Sequence, residues 1–205
     1  MGIVVIGAVF VDIKGYPEDT FVPKGRNVAE DIANVELRPT FVSLVDDTGI
    51  GADVIRKLKN HHVNTNYMRV TPDGMGTWLA VFENDGDVEA SISKRPNLRP
   101  IGDILDEQGD EIFRNADSII VEIDMDKEVV KRVFRLAQKH NKRVYAVVAN
   151  MSIAVERRDF LQQTACFVCN QQEAGILFSD DYFNWIRPKW REFWRKKFAV
   201  PIFAV

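Results

Sequence analysis

Short polar residues follow several apolar runs in this sequence, at positions where they could hold a polar ligand. Asp12 comes soon after the first such run, and Asp124, Asn150 and Asn170 each directly follow a later one. In an open α/β sheet the carboxyl ends of parallel strands meet at one edge, where ligands bind. Each residue alone is as typical of a turn or a helix N-cap. Their shared position favours a crevice that binds a polar ligand.

The segment Lys24-Gly25-Arg26-Asn27 precedes a helical pattern, and its glycine would let the backbone approach a ligand closely. No Walker A motif and no G-x-G-x-x-G motif follows a predicted strand, so these two phosphate-binding devices are absent from the sequence. A G-x-S-x-G nucleophile elbow is absent as well.

The cysteines and histidines offer little chemistry. Cys166 and Cys169 have redox-pair spacing but lie in an apolar run, where strand alternation puts them on opposite faces, so we expect neither redox nor metal use. His61, His62 and His140 lack partners at metal-site spacing, so we expect them to be solvated and not to be metal ligands. Two cysteines cannot build a disulfide framework, which suits the cytosol.

The elements that must position these residues follow from hydrophobic periodicity. The predicted strands are 3–7, 40–45, 118–123, 143–148 and 166–169, and the predicted helices are 28–35, 52–59, 127–140 and 171–178. This alternation predicts an α/β fold with a parallel sheet flanked by helices. Residues 77–82 and 88–93 flank Asp85-Gly86, a strong hairpin signal, and predict a small β-hairpin sheet outside the main one.

Composition excludes several classes of protein. The chain of 205 residues has a net charge of -3 and 46% hydrophobic residues, which is ordinary for a folded domain. No run of about 18 apolar residues predicts a membrane helix, and the first residues do not resemble a secretory signal. We therefore expect a cytoplasmic protein that binds neither membranes nor nucleic acid.

The last part of the chain, residues 183–205, differs in composition from the rest. It is rich in tryptophan and basic residues, including Trp185, Trp190 and Trp194, and its only acid is Glu192. As a helix it would have Trp190 and Trp194 on one face, which is typical of packing. That this tail binds single-stranded nucleic acid is the less favoured interpretation. Residues 199–205 could form a further strand.

Several segments, in order, resemble the PfkB, or ribokinase-like, carbohydrate kinases. They are the first strand through Asp12, Gly25-Arg-Asn27 with its helix, the strand and turn of residues 41–53, the lid-like segment from 62 through the hairpin, and Asn170-Gln-Gln-Glu173. The similarity extends from residue 3 to about 180. Its details lean towards pseudouridine kinases and other nucleoside kinases.

This resemblance implies a ribokinase-like fold with a β-hairpin lid, whose strands would lie at about 10–24 and 76–96. It also implies transfer of a phosphoryl group from ATP, with Mg²⁺, to a hydroxymethyl group of a sugar or ribonucleoside. Asp12, Gly25, Asn27 and Asp124 would bind the sugar. Near the ATP phosphates and Mg²⁺ the resemblance implies Asn150, Asn170 and Glu173. A homodimer through the lid is implied as well.

The sequence departs from the family pattern at two places. Gly25 stands where the family has paired glycines, and the stretch between Asp12 and Asn27 is short. The later G-x-G-D signature, which carries the family's catalytic Asp, is absent. We therefore expect residues 1–182 to be an incomplete ribokinase-like domain, 183–205 to be an atypical tail, and no catalytic residue to be present. The alternative is a non-catalytic sugar- or nucleoside-binding or interaction protein derived from such a kinase.

Overall fold

The computed structural model describes residues 2–15, 27–82, 88–148, 150–169, 171–178 and 202–204. The strands in this part of the chain are β1 (Ile3–Ile6), β2 (Val9–Gly15), β3 (Thr40–Val45), β4 (Met68–Val70), β5 (Met75–Phe82), β6 (Val88–Lys94), β7 (Ser118–Glu122), β8 (Arg143–Val147), β9 (Cys166–Cys169) and β10 (Ile202–Ala204). The helices are α1 (Asn27–Asn34), α2 (Gly49–Asn60), α3 (Arg99–Arg114), α4 (Lys127–Lys139), α5 (Met151–Val155), α6 (Arg158–Leu161) and α7 (Gln171–Phe178).

The main sheet contains seven of the described strands, in the order β10-β9-β8-β7-β1-β3-β4. The described strands of this sheet all pair in parallel. Parallel strands are buried on both faces, which is why the sequence signals them as continuous apolar runs. The expected α/β fold with a parallel sheet is confirmed, and the end of the 183–205 segment adds β10 to this sheet.

Helices pack on both faces of the main sheet. Val4 of β1 belongs to one core cluster together with Ile104 of α3 and Val133 of α4. Val5, its neighbour, belongs to a second cluster with Leu58 of α2. Because successive side chains of a strand point to opposite faces, these two clusters are the two sides of a three-layered domain. None of the helices in the described ranges is long and apolar enough to cross a membrane.

Helix α3 is the largest element that the sequence pattern does not predict. It begins with Arg99-Pro100 and contains Gly102 and Gly109, and glycine lowers helix propensity. A Cβ atom at Gly109 would lie 2.5 Å from Leu136 Cδ1 of α4. The glycine therefore weakens the helical signal while it permits close packing of α3 on α4. Strand β4 and helices α5 and α6 also escape prediction, since elements this short carry little periodicity.

A second sheet, which we call the lid, has the order β2-β5-β6. Strands β5 and β6 form the expected antiparallel hairpin, and β2 pairs with β5 in parallel. The hairpin turn, with Asp85-Gly86, lies outside the described residues, as do residues 16–26. Strand β1 of the main sheet continues into β2 of the lid after only Gly7 and Ala8. The lid is thus held directly at the carboxyl end of β1, an interior strand of the main sheet.

Candidate functional site

A cavity of about 230 Å³ lies where the lid meets the carboxyl ends of β1 and β7. It is lined by Ala8, Phe10, residues 95–99, Glu122, residues 124–126 and Arg157. Ala8 and Phe10 come from the link between β1 and β2 and from the start of β2. Residues 95–99 link β6 to α3 and begin that helix. Glu122 ends β7, residues 124–126 link β7 to α4, and Arg157 precedes α6. This is the edge of the sheet at which open α/β folds bind ligands.

Asp124 provides a buried negative charge in this cavity. It follows β7 and is 4% exposed. Arg95, at the end of the lid strand β6, donates a hydrogen bond from Nη2 to Asp124 Oδ2 over 3.2 Å. Burying a carboxylate is unfavourable unless it is paired and hydrogen-bonded. The guanidinium of Arg95, from the segment that follows β6, contributes to that compensation.

Glu122 is a second carboxyl group in the cavity wall, two residues before Asp124. Its Oε2 accepts a hydrogen bond from the backbone N–H of Ala8 at 2.7 Å. Burial and, to a smaller extent, the nearby charge of Asp124 raise the pKa of Glu122, and the hydrogen bond from Ala8 and the charge of Arg95 lower it, with a net value of about 7. Glu122 therefore titrates near neutral pH, where an ordinary glutamate is fully ionised.

The lid contributes an aromatic wall. Phe10 lines the cavity, and strand register places Asp12 and Trp78 on the same face of the lid as Phe10. Gly76 lies opposite Phe10 on β5, where a Cβ atom would approach the Phe10 ring to 2.4 Å. Gly76 thus leaves the space that the Phe10 ring occupies.

Arg157 closes the cavity from the side of α6. Its Nη1 donates hydrogen bonds to the carbonyl oxygens of Ile123 and Met125, which flank Asp124 in the chain. Asp126, also in the wall, caps α4 by accepting a hydrogen bond from the Glu128 N–H at 2.9 Å. These contacts fix the backbone that carries Asp124.

Comparison with known proteins assigns the chain to a family. Residues 3–183 match the family described as pfkB family carbohydrate kinase. The chain belongs to this family. It is also 32% identical, over 193 residues, to a guanosine-inosine kinase from Exiguobacterium acetylicum. That alignment covers 85% of this chain, which spans 63% of the relative's length.

Solved structures share the fold of this PfkB-family chain. Arabidopsis thaliana ribokinase, complexed with ribose and ATP, has a TM-score of 0.62 and 19% identity, and the match covers 86% of this chain and 62% of that one. An E. coli protein assigned as a ribokinase II, in complex with ATP and Mg²⁺, has a TM-score of 0.67 and 16% identity. That match covers 85% of this chain and 64% of the other. The expected ribokinase-like fold is confirmed.

The four substrate-binding residues expected from the family pattern differ in where the structure places them. Asp124 lies in the cavity wall. Asp12 lies on the cavity side of the lid, two residues beyond Phe10, but is not among the residues that line the cavity. Gly25 lies outside the described residues, and Asn27 is the first residue of α1. The roles of all four residues in binding stay predictions.

The residues expected near ATP are more dispersed. Asn150 caps α5, where its side chain accepts a hydrogen bond from the Ile153 N–H at 3.3 Å. Glu173 lies in the first turn of α7, and Asn170 is outside the described residues. In the described ranges no group of three or more His, Cys, Asp or Glu side chains could hold a metal ion. Protein-bound Mg²⁺ usually keeps several waters and is held by phosphates and one or two carboxylates, so it needs no such group.

Sequence reasoning missed Glu122, Arg95 and Arg157. Glu122 had a visible signal, because it is a single acid within the apolar run 118–123. Arg95 and Arg157 had none, since their partners are distant in the chain. The histidines also need one correction: the His140 side chain is only 13% exposed and pairs with Asp110 at 2.7 Å, so it is not solvated.

Proposed function

We propose that the cavity binds the sugar of a sugar or ribonucleoside substrate, and that the kinase to which these residues belong phosphorylates its hydroxymethyl group. The observation that carries the proposal is the buried carboxylate of Asp124, held by Arg95 in a cavity between the main sheet and the lid. A site of this composition suits a ligand with several hydroxyl groups.

The chemistry of the wall supports a polyhydroxylated ligand. An ionised carboxylate only accepts hydrogen bonds, and its two oxygens can accept from two neighbouring hydroxyl groups. Such charge-assisted hydrogen bonds are roughly twice as strong as neutral ones. Asp124 would accept from the sugar in this way, and Asp12 would join it from the lid. Gly25 and Asn27 are proposed to bind the same sugar.

A ribonucleoside is favoured over a free sugar by two observations. The relative with 32% identity is a guanosine-inosine kinase. In addition, the ring of Phe10 lines the cavity, and an aromatic ring offers a nucleobase a stacking surface. We therefore propose a purine ribonucleoside as the substrate class.

ATP and Mg²⁺ are proposed as cofactors. ATP would supply the phosphoryl group, and Asn150, Asn170 and Glu173 would lie near its phosphates.

The binding function of the cavity can be tested without turnover. A non-catalytic nucleoside-binding protein is the alternative, and it predicts the same binding without phosphorylation.

The decisive test is calorimetric titration of the purified chain with inosine, guanosine and ribose. Asp124→Asn keeps the side-chain shape but removes the charge, so we expect inosine affinity to fall roughly tenfold to a hundredfold. Asp53→Asn is the matched control, because Asp53 lies on α2 with its side chain 57% exposed. If Asp124→Asn and the unmodified chain bind inosine with equal affinity, Asp124 does not take part in binding. Adding ATP and Mg²⁺ and measuring ADP separates the kinase from the non-catalytic alternative.

We also propose that a second copy of the chain covers the outer face of the lid. Leu79, Val81 and Ile92 lie on this face and are 39%, 47% and 73% exposed. Sedimentation analysis should detect a dimer that the double variant Leu79→Ser, Ile92→Ser weakens. Val35→Ser, at an exposed residue elsewhere, should leave it intact. A monomer at all concentrations would refute this proposal.

A further inference from the structure

The connection between the main sheet and the lid strand β2 consists of two buried residues, Gly7 and Ala8. Each is held by a side chain from a neighbouring strand. The hydroxyl of Ser43, on β3 and 0% exposed, donates to the Gly7 carbonyl at 2.6 Å. Glu122 on β7 accepts from the Ala8 N–H at 2.7 Å. The connection is therefore fixed on both sides.

There is little room at this connection for another arrangement. A Cβ atom at Gly7 would lie 3.0 Å from Glu122 Oε2, which is closer than nearly all such contacts. The carboxyl group of Glu122 is thus packed directly against the backbone that turns from β1 into β2. Ala8 is 6% exposed, so its N–H has little access to water and depends on Glu122.

This backbone carries one residue of the cavity wall and one residue of the proposed sugar site. Phe10 follows Ala8 by two residues and lines the cavity, and Asp12 follows by four on the same face of the lid. Because one residue of a strand advances the chain by only about 3.3 Å, a change in the direction of the Ala8 peptide is carried directly to both side chains.

We propose that Glu122 is a positioning residue for the ligand: through its hydrogen bond to Ala8 it orients β2, and its ionisation sets how firmly Phe10 and Asp12 are held over the cavity. This inference rests on the proposed function, since it assumes that the ligand binds in this cavity. It assigns to Glu122 a role in affinity without requiring contact with the ligand.

Burial, together with the charges around Glu122, brings the pKa of this group near neutral pH. Burial is the main cause of its raised pKa of about 7, followed by the charge of Asp124 on the same strand end, while Arg95 from the lid acts in the opposite direction. The other charged side chains in the same wall come from the links on either side of the cavity, and they are Arg99, Asp126 and Arg157.

The direction of the effect follows from the strength of the hydrogen bond. An ionised carboxylate is a stronger acceptor for the Ala8 N–H than a neutral carboxyl group. Ionisation of Glu122 therefore tightens the connection and orders β2 before the ligand arrives, which lowers the cost of binding. Ligand affinity should rise as the pH rises through about 7. By linkage, the ligand should lower the pKa of Glu122.

The first test measures the hydrogen bond between Ala8 and Glu122 in the absence of any ligand. In the chain labelled with ¹⁵N-alanine, the Ala8 amide proton shift should follow a titration with a midpoint near 7. Glu122→Gln keeps an acceptor but cannot ionise, so the titration of Ala8 should disappear. An Ala8 signal that does not titrate in the unmodified chain would overturn the inference, whatever the cavity binds.

The second test measures inosine affinity by calorimetry across the same pH range. The unmodified chain should bind several-fold more tightly above the titration than below it, and Glu122→Gln should bind with nearly the same affinity throughout. Glu107→Gln is the control, because Glu107 is exposed on α3 and should retain the pH dependence. A pH dependence that survives in Glu122→Gln would overturn the inference.

The two tests separate the failure of this inference from the failure of the proposed function. If neither inosine nor guanosine nor ribose binds at any pH, the function proposed for the cavity is wrong, and the inference about the ligand fails with it. If inosine binds with an affinity independent of pH while Asp124→Asn weakens it, the function stands and only the positioning role of Glu122 is refuted.

Discussion

Arg95 and Asp124, in the wall of the cavity, join the end of the lid to the main sheet. The two residues are 29 positions apart, and Nη2 of Arg95 lies 3.2 Å from Oδ2 of Asp124. The pair is asymmetric: the Arg95 side chain is 46% exposed, whereas that of Asp124 is 2% exposed. Asp124 is therefore withdrawn from water while Arg95 is not, and a ligand that approaches Asp124 must share it with this guanidinium.

Replacing Arg95 by Met should destabilise the protein because Asp124 would lose a charged partner in a buried setting. Half of the Arg95 side chain is in solvent, which limits the loss to about 1 to 3 kcal/mol, typical of a hydrogen bond between charged groups. Urea unfolding at neutral pH measures this change. Arg56→Met is the control, because Arg56 pairs with Asp53 on the exposed surface of α2 and should cost under about 1 kcal/mol. Equal losses for the two variants would contradict the special role of the Arg95 pair.

Replacing Gly76 by Ala should disturb the aromatic wall. The added Cβ would lie 2.4 Å, 2.6 Å and 2.8 Å from three atoms of the Phe10 ring, so the ring must move. We expect a loss of about 1 to 3 kcal/mol, as for other overpacked sites, and weaker binding of the nucleoside. Thermal unfolding and calorimetric titration measure the two effects.

Gly49→Ala is the matched control for this substitution. Gly49 begins α2, and a Cβ atom there would have nothing within 4 Å, so this variant should be neutral or slightly stabilising. If the clash with Phe10 causes the loss of stability in Gly76→Ala, the double variant Phe10→Ala, Gly76→Ala should be destabilised by less than the sum of the two single variants. Additive effects of the two substitutions would show that the clash is not the cause.

Five strands of the main sheet, β1, β3, β7, β8 and β9, could be predicted because burial on both faces requires largely apolar runs. The prediction for residues 40–45 matches β3, and Asp124 was predicted to lie at the binding edge because it follows such a run. The hairpin of β5 and β6 was predicted from its turn residues. In these cases the physical cause of the structure is local in the chain.

The remaining features depend on contacts that are distant in the chain. Glu122 meets Ala8 across 114 positions, and no spacing in the sequence indicates that pairing. In the sequence, Arg95 is one charged residue among several at strand ends. Only the folded lid brings it into contact with Asp124. Asn150 shows the opposite case, since its local role as an N-cap of α5 accounts for a residue that also fits a ligand site.

The two cysteines should be unreactive in the folded protein. Both are buried, and burial raises the pKa of the Cys169 thiol to about 12, with the charge of Glu173 as the next cause and Cys166 as the last. The thiolate is the reactive form, so almost none is present near pH 8. A disulfide-exchange reagent such as dithionitrobenzoate should label neither cysteine in the native protein and both in guanidinium chloride. Rapid labelling of Cys169 in the native protein would disprove the prediction.

The raised pKa of Glu122 also predicts how stability depends on pH. The pKa is about 7 in the folded protein against an ordinary value of 4.5, so the folded state binds the proton more tightly than the unfolded state between these values. The free energy of unfolding contributed by this group is fully present below about pH 4.5 and is lost as the pH rises through about 7. Such a shift corresponds to a loss of up to about 3 kcal/mol.

Glu122→Gln isolates this contribution, because the amide keeps the hydrogen bond from Ala8 and has no charge to lose. The difference in unfolding free energy between Glu122→Gln and the unmodified chain should grow in favour of the variant as the pH rises from about 4.5 to about 7, and then stay constant. Urea unfolding at a series of pH values measures it, and all other titrating groups cancel in the difference.

Glu122→Met removes the acceptor as well, so at low pH it should be less stable than Glu122→Gln by about 1 to 3 kcal/mol, the cost of a buried N–H without a partner. A difference between Glu122→Gln and the unmodified chain that does not change with pH would mean that Glu122 titrates as an ordinary glutamate, and that the connection between sheet and lid has no proton-dependent component.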